Sequence, residues 1–165
     1  MQGLAFTFYV LRFTFHAPAV SKKSAKIAAL IDRCQGRDLD AHYLGYFECF
    51  NAGLFYEAHD VLEELWLAQR RGPNDGFYKG LIQLAGAFVH LQKHTAARPR
   101  LRPAAALFRL ARAKLQAYAP VHERLDVGSV VGLIDDWLTR LDSGAPGVNP
   151  LGASGAPKLL PLPCP

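Results

Sequence analysis

A chain of 165 residues with 50% hydrophobic and 20% charged residues has the size and balance of one globular domain, which excludes a disordered chain and a coiled coil. At this length about two-thirds of the surface exposed by the unfolded form is buried on folding, so the core needs no covalent staples. The net charge of +5 is unevenly spread: residues 39 to 69 carry six acids and no Lys or Arg, whereas residues 70 to 118 carry ten bases against Asp75 alone.

Residues 1–19 read as a poorly ordered extension. The run Leu4 to Phe15 is apolar and aromatic, but Arg12 interrupts it, and it is shorter than the about 20 residues of a membrane span. A processed signal and an upstream start site are both open readings of this stretch, and no membrane role is expected. The odd set Cys34, Cys49 and Cys164 has no paired spacing, which argues for a reducing compartment, the cytoplasm, and against a thiolate zinc site.

Helix signals dominate residues 20–142. Segments 22–34, 40–50, 54–69, 77–93, 103–118 and 127–142 each read as a helix. Asn51-Ala52-Gly53 stops the second, Asp75 is a candidate cap for the fourth, Pro103 sits in the first turn of the fifth, and Asp126 caps the sixth. The fold class expected is all-α: a single bundle of five to six helices. Trp66, Leu62, Leu81, Leu84, Phe88 and Leu110 are its expected core, with Cys49 and Trp137 also facing inward. Residues 143–165 hold ten Gly or Pro and read as a flexible, disordered tail.

Two helices carry chemistry. At about 100° per residue, Ala58, Leu62 and Leu65 centre the apolar stripe of 54–69, and Glu57, Asp60 and Glu64 face water. His59 falls at the stripe's edge and meets Glu63 at i+4. The next helix is apolar on nearly all sides, yet Lys79, Gln83, Gly86 and His90 form one thin polar seam that His94 extends. A short turn between the helices makes them antiparallel neighbours, so the seam is expected to face His59 and Glu63.

The runs FNAGLFYEAHDVLEELW (50–66) and FYKGLIQLAGAFVHL (77–91) resemble the domain of unknown function 309 family, and LDVGSVVGLIDDWL (125–138) matches its ending more loosely. The likeness spans about residues 43 to 141. By position it marks Asn51, Gly53, Glu57, His59, Glu63 and Trp66, then Gly80, Gln83 and His90. After His90 the chain departs from the family, with KHTAARPRLRP in place of a short polar turn. The resemblance implies an all-helical bundle from a mainly prokaryotic family, to which the label of metal-dependent hydrolase has been attached by prediction.

Three readings of these residues stay open. In the first, His59, Glu63 and His90 hold a divalent metal (zinc, iron or manganese), and Glu63 or Glu57 acts as base toward a small-molecule substrate. The wheel counts against Glu57, which points away from His59, and the spacing is not HExxH. In the second, His59, Glu63, Gln83, Lys79 and His90 form a closed polar network that fixes helix packing. In the third, the chain is a non-enzymatic scaffold or binding module. There Arg98, Arg100, Arg102, Arg109 and Arg112 receive an anion or acidic partner; nucleic acid is the weaker choice, because no aromatic-interleaved motif accompanies them. No GxSxG, Walker or dinucleotide motif is present.

Overall fold

A computed structural model describes residues 25–144 and 147–163. The expected extension at 1–19 and Cys164 lie outside those residues. Among the described residues the helices are α1 (Ala25–Cys34), α2 (Ala41–Asn51), α3 (Phe55–Ala68), α4 (Asp75–Gln92), α5 (Leu101–Leu115), α6 (Val127–Ser143) and the short α7 (Pro150–Ser154). A 3-10 turn (Gln116–Tyr118) and a tiny hairpin, β1 (Val121–His122) with β2 (Leu125–Asp126), join α5 to α6. The fold is all-α, as the sequence predicts, with one more short helix than expected. No helix among the described residues is long and apolar enough to cross a membrane.

Local chemistry sets the ends of these helices. The Asp40 carboxylate accepts from the His42 N–H and starts α2. At its other end Gly53 takes φ +74°, which glycine adopts without a Cβ clash. The Leu54 N–H then reaches the Cys49 carbonyl, closing the six-residue pattern of a helix C-terminus. Asp126 caps α6 through Ser129, as read from the sequence. Asp75 does not cap α4; it is the helix's first residue and accepts from the Trp66 indole N–H.

From α2 to α6, consecutive helices pack as antiparallel neighbours, and α4 lies between α3 and α5. The α3–α4 pair is tied at one end by Trp66 to Asp75 and at the other by Gln92 to the Gly53 carbonyl (2.7 Å). Against α5, the small residues of α4 allow close approach. A Cβ at Gly80 would stand 2.8 Å from Leu115 Cγ. Phe88 is fully buried and meets Phe50, Phe55, Phe108 and Trp137 at ring-centre distances of 4.8 to 5.4 Å.

Five expected core residues, Leu62, Leu81, Leu84, Phe88 and Trp137, are buried, and so is Cys49. Leu110 is not: it is 49% exposed, because the buried stripe of α5 runs through Ala104, Phe108, Ala111 and Leu115 and passes it by. Trp66 is only partly buried, with the Arg70 and Lys79 cations against its ring at 4.9 and 5.3 Å.

The tail read as flexible makes defined contacts where it is described. Asn149 donates to the Leu91 carbonyl (2.7 Å), and Leu159 is buried at 6% exposure. Glycine and proline content raises chain freedom, but two asparagine side chains and one apolar anchor hold this segment.

The close α4–α5 contact makes a paired prediction. Gly80→Ala forces Leu115 aside and should cost about 1–3 kcal/mol. Gly132→Ala, in α6 with nothing within 4 Å of its added Cβ, should gain about 0.5–1 kcal/mol. Urea unfolding of the two variants checks both signs; equal stability for Gly80→Ala and the parent would contradict the packing.

Candidate functional site

The α3 helix turns His59 and Glu63 to one edge, as the i, i+4 spacing predicts, and Asp60 joins them. Among the described residues, His59, Asp60 and Glu63 form the group whose ligand atoms all lie within 4.8 Å of one another. His59 Nδ1 stands 3.2 Å from Asp60 Oδ1. All three are partly exposed. The helical wheel assigned Asp60 to water and missed its part in the group. Neighbours at i, i+1 do not face each other across a helix, but an imidazole and a short carboxylate can lean together along its rim.

The same edge is strongly negative. Tyr56, 48% exposed, lies with its ring 6.5 Å from that of His59. The Asp60 charge foremost, then burial, Glu63 and Glu57, raise its hydroxyl pKa above the ordinary value. Lys93 Nζ lies 5.2 Å from the Tyr56 ring centre. Glu57 is near enough to act on Tyr56 but is not among the grouped ligands.

His90, expected as the third ligand, is not in the group; the charges that act on it are Arg100 and Lys93, both cations. The polar seam of α4 is not one strip facing α3. Instead it splits: Lys79 goes to Trp66 on the α3 side, while a Cβ at Gly86 would meet Leu107 of α5 at 3.2 Å. Gln83 Oε1, His90 Nδ1 and Arg100 Nε are buried without a hydrogen-bond partner. A closed network joining His59, Gln83, Lys79 and His90 is not what these contacts describe.

The basic segment is partly neutralised within the bundle. Arg112 makes a two-bond contact with Asp135 of α6 (2.5 and 3.2 Å), and Arg109 meets Asp142 (3.3 Å). The α5 cations thus pair with α6 acids and not with the acid-rich 39–69 segment. Arg98 and Arg102 remain exposed, and Arg100 is half-buried. Arg102 and Arg109 line a shallow cleft with Leu101, Ala105, Leu141 and Asp142.

Sequence reasoning also missed a polar cluster between the α3–α4 turn and the hairpin. His122 Nε2 lies 2.7 Å from Asn74 Oδ1, Asn74 Nδ2 donates to Glu123 Oε1 (2.7 Å), and the Tyr43 hydroxyl donates to the Glu123 carbonyl (3.1 Å). Burial first, then the Glu123 charge, drives the Tyr43 pKa far up. The hairpin turn places two non-glycine residues, Glu123 (φ +45°) and Arg124 (φ +58°), in the left-handed region. Such turns favour Asn-Gly, so Glu-Arg gave no signal in the sequence.

Residues 43–98 match the family model described as Domain of unknown function (DUF309). The match holds both motif-bearing helices and reaches into the 93–103 connector, but it stops short of 125–138, where a likeness was also expected. No curated protein matches the chain, and no solved structure does.

Burial first, then Arg100 and Lys93, keep the His90 pKa below its ordinary value. The unfolded chain then takes up a proton, near about pH 6.5, that the folded chain refuses. Stability from this group is full above that pH and is lost as pH falls toward the lowered value. Urea unfolding at pH 7.5 and pH 5 should show a smaller drop for His90→Leu than for the parent; identical drops would contradict this environment.

Proposed function

We propose, from the match of residues 43–98 to the domain of unknown function 309 family, that this chain is a metal-binding helical domain with hydrolytic chemistry at the His59 edge of α3. The observation that carries the reading is the grouping of one imidazole and two carboxylates within 4.8 Å. Donors around a four-coordinate zinc stand about 3.4 Å apart for bonds of about 2.1 Å, so rotation of exposed side chains is enough to close the group. Nitrogen and oxygen donors suit zinc, manganese or iron. His59, Asp60 and Glu63 would hold the ion, and it would supply Lewis acidity and a more acidic bound water. Tyr56 and Lys93 flank the edge and would receive an aromatic or anionic part of a substrate.

The alternative is a non-enzymatic binding module in the cytoplasm using its basic segment. It has less behind it: Arg109 and Arg112 are already paired with α6, which leaves Arg98, Arg100 and Arg102 for an acidic partner or nucleic acid.

Equilibrium dialysis against zinc or manganese, on protein made without an affinity tag, tests the metal. One equivalent should bind, Asp60→Asn should weaken it by about 10–100-fold, and His59→Ala should abolish it. Absence of binding, or equal binding by His59→Ala, would overturn the reading. Where metal binds, turnover of activated carboxylate and phosphate esters should appear with it and vanish in Glu63→Gln.

A further inference from the structure

Residues 157–163 run along the bundle without regular secondary structure, and the bundle grips their backbone. Asn51 Nδ2 donates to the Leu159 carbonyl and Asn51 Oδ1 accepts from the Leu159 N–H, both at 2.7 Å. Lys158 Nζ reaches the Asn51 carbonyl. One turn of chain further on, the Leu162 N–H donates to the Arg124 carbonyl, and Arg124 Nε and Nη2 donate to the Leu162 carbonyl (2.9 and 2.7 Å). Two main-chain amides three residues apart are thus each read on both their donor and acceptor sides.

We infer that Asn51 and Arg124 form a receptor for the backbone of an extended, leucine-bearing peptide, and that Lys158–Pro163 occupies it in cis as a tethered, releasable ligand.

Several observations separate a receptor from ordinary core packing. Five of the hydrogen bonds go to the tail's main-chain groups and so do not depend on its side chains; one, from Lys158 Nζ, comes from a tail side chain. Among the described residues 157–163 the one buried side chain is Leu159; Leu160 and Leu162 are 72% and 40% exposed. A cleft of about 470 Å³ remains beside them, walled by Arg37, Leu39 and Leu44. The receptor groups are also held independently of the tail. Asn51 ends α2, where Gly53 fixes the turn. Arg124 is kept in a left-handed conformation next to Glu123, which Tyr43 and Asn74 anchor from the bundle. Such strain persists where surrounding structure over-determines it, and it clusters at ligand clamps. Asp38 orients the Arg124 guanidinium (3.2 Å). Finally, Asn51 lies inside the family-matched segment 43–98, whereas the tail that fills its amide lies outside it.

Main-chain hydrogen bonds give such a site its affinity, and the Leu159 pocket gives it selectivity. A tether supplies the tail at high effective concentration, so an incoming peptide competes at a disadvantage until the tail is displaced.

The test uses the full chain and a fluorescein-labelled peptide of residues 156–163. In Leu159→Asp a carboxylate replaces the buried anchor and should expel the tail. The peptide should then bind in trans about tenfold or more tighter than it binds the parent chain, whose site is filled. Adding Asn51→Asp, which keeps the size and acceptor but loses the donor, should abolish that binding with the helical circular dichroism retained. No saturable binding to Leu159→Asp, or binding indifferent to Asn51→Asp, would overturn the inference. A second measurement needs no variant. In the parent chain the Leu159 and Leu162 amides should exchange with deuterium by local opening, well before the amides of α4. Exchange of both only with global unfolding would make the tail a fixed part of the core and would equally overturn it.

Discussion

Phe88 touches aromatic rings from four other helices at once: Phe50 of α2, Phe55 of α3, Phe108 of α5 and Trp137 of α6. Three of the contacts are edge-on and the Phe55 pair is stacked, all among buried rings, a geometry that adds to the apolar burial itself. Because those rings come from segments spread over most of the bundle, the orientation of α4 sets that of its neighbours. The outward-facing chemistry follows from it. With Phe55 turned inward to Phe88, His59 one turn later lies at the rim of α3. With α4 pressed to α5 through Gly80, the far end of its polar seam lies toward the connector and Arg100.

This arrangement sorts the histidines by charge. His59 stands among Asp60 and Glu63, while His90 stands among Arg100 and Lys93. One environment is acidic and the other disfavours a proton. A third, His42, is held between Asp40 and Glu64 across the α2–α3 contact (3.2 and 3.4 Å). One sequence seam therefore becomes separate local chemistries, because α4 has neighbours on two sides and cannot offer its whole polar strip to one of them.

Much of the fold was legible in the sequence. Periodic apolar positions located the six long helices to within a few residues, the Asp126 cap was readable, and Gly53 marked the end of α2. Chemistry along one helix was also legible: the i, i+4 pairing of His59 with Glu63 needs only helical geometry. What failed depended on partners remote in sequence. Leu110 is as apolar as its neighbours, and only the position of α6 and α4 around α5 leaves it outside. The seam's direction required knowing that Leu107 closes over Gly86. The hairpin carries no glycine at its turn, and the Asn51 clamp on Leu159 spans more than half the chain, beyond any local pattern.

The claim on which these placements rest is that Phe88 joins the helices into one cooperative unit. Hydrogen–deuterium exchange of Phe88→Ala tests it most directly. The account predicts a loss of about 3–5 kcal/mol, read as a fall in protection of the slowest amides of α2, α3, α5 and α6 together. Loss of protection confined to α4, with the other helices exchanging as in the parent chain, would contradict it.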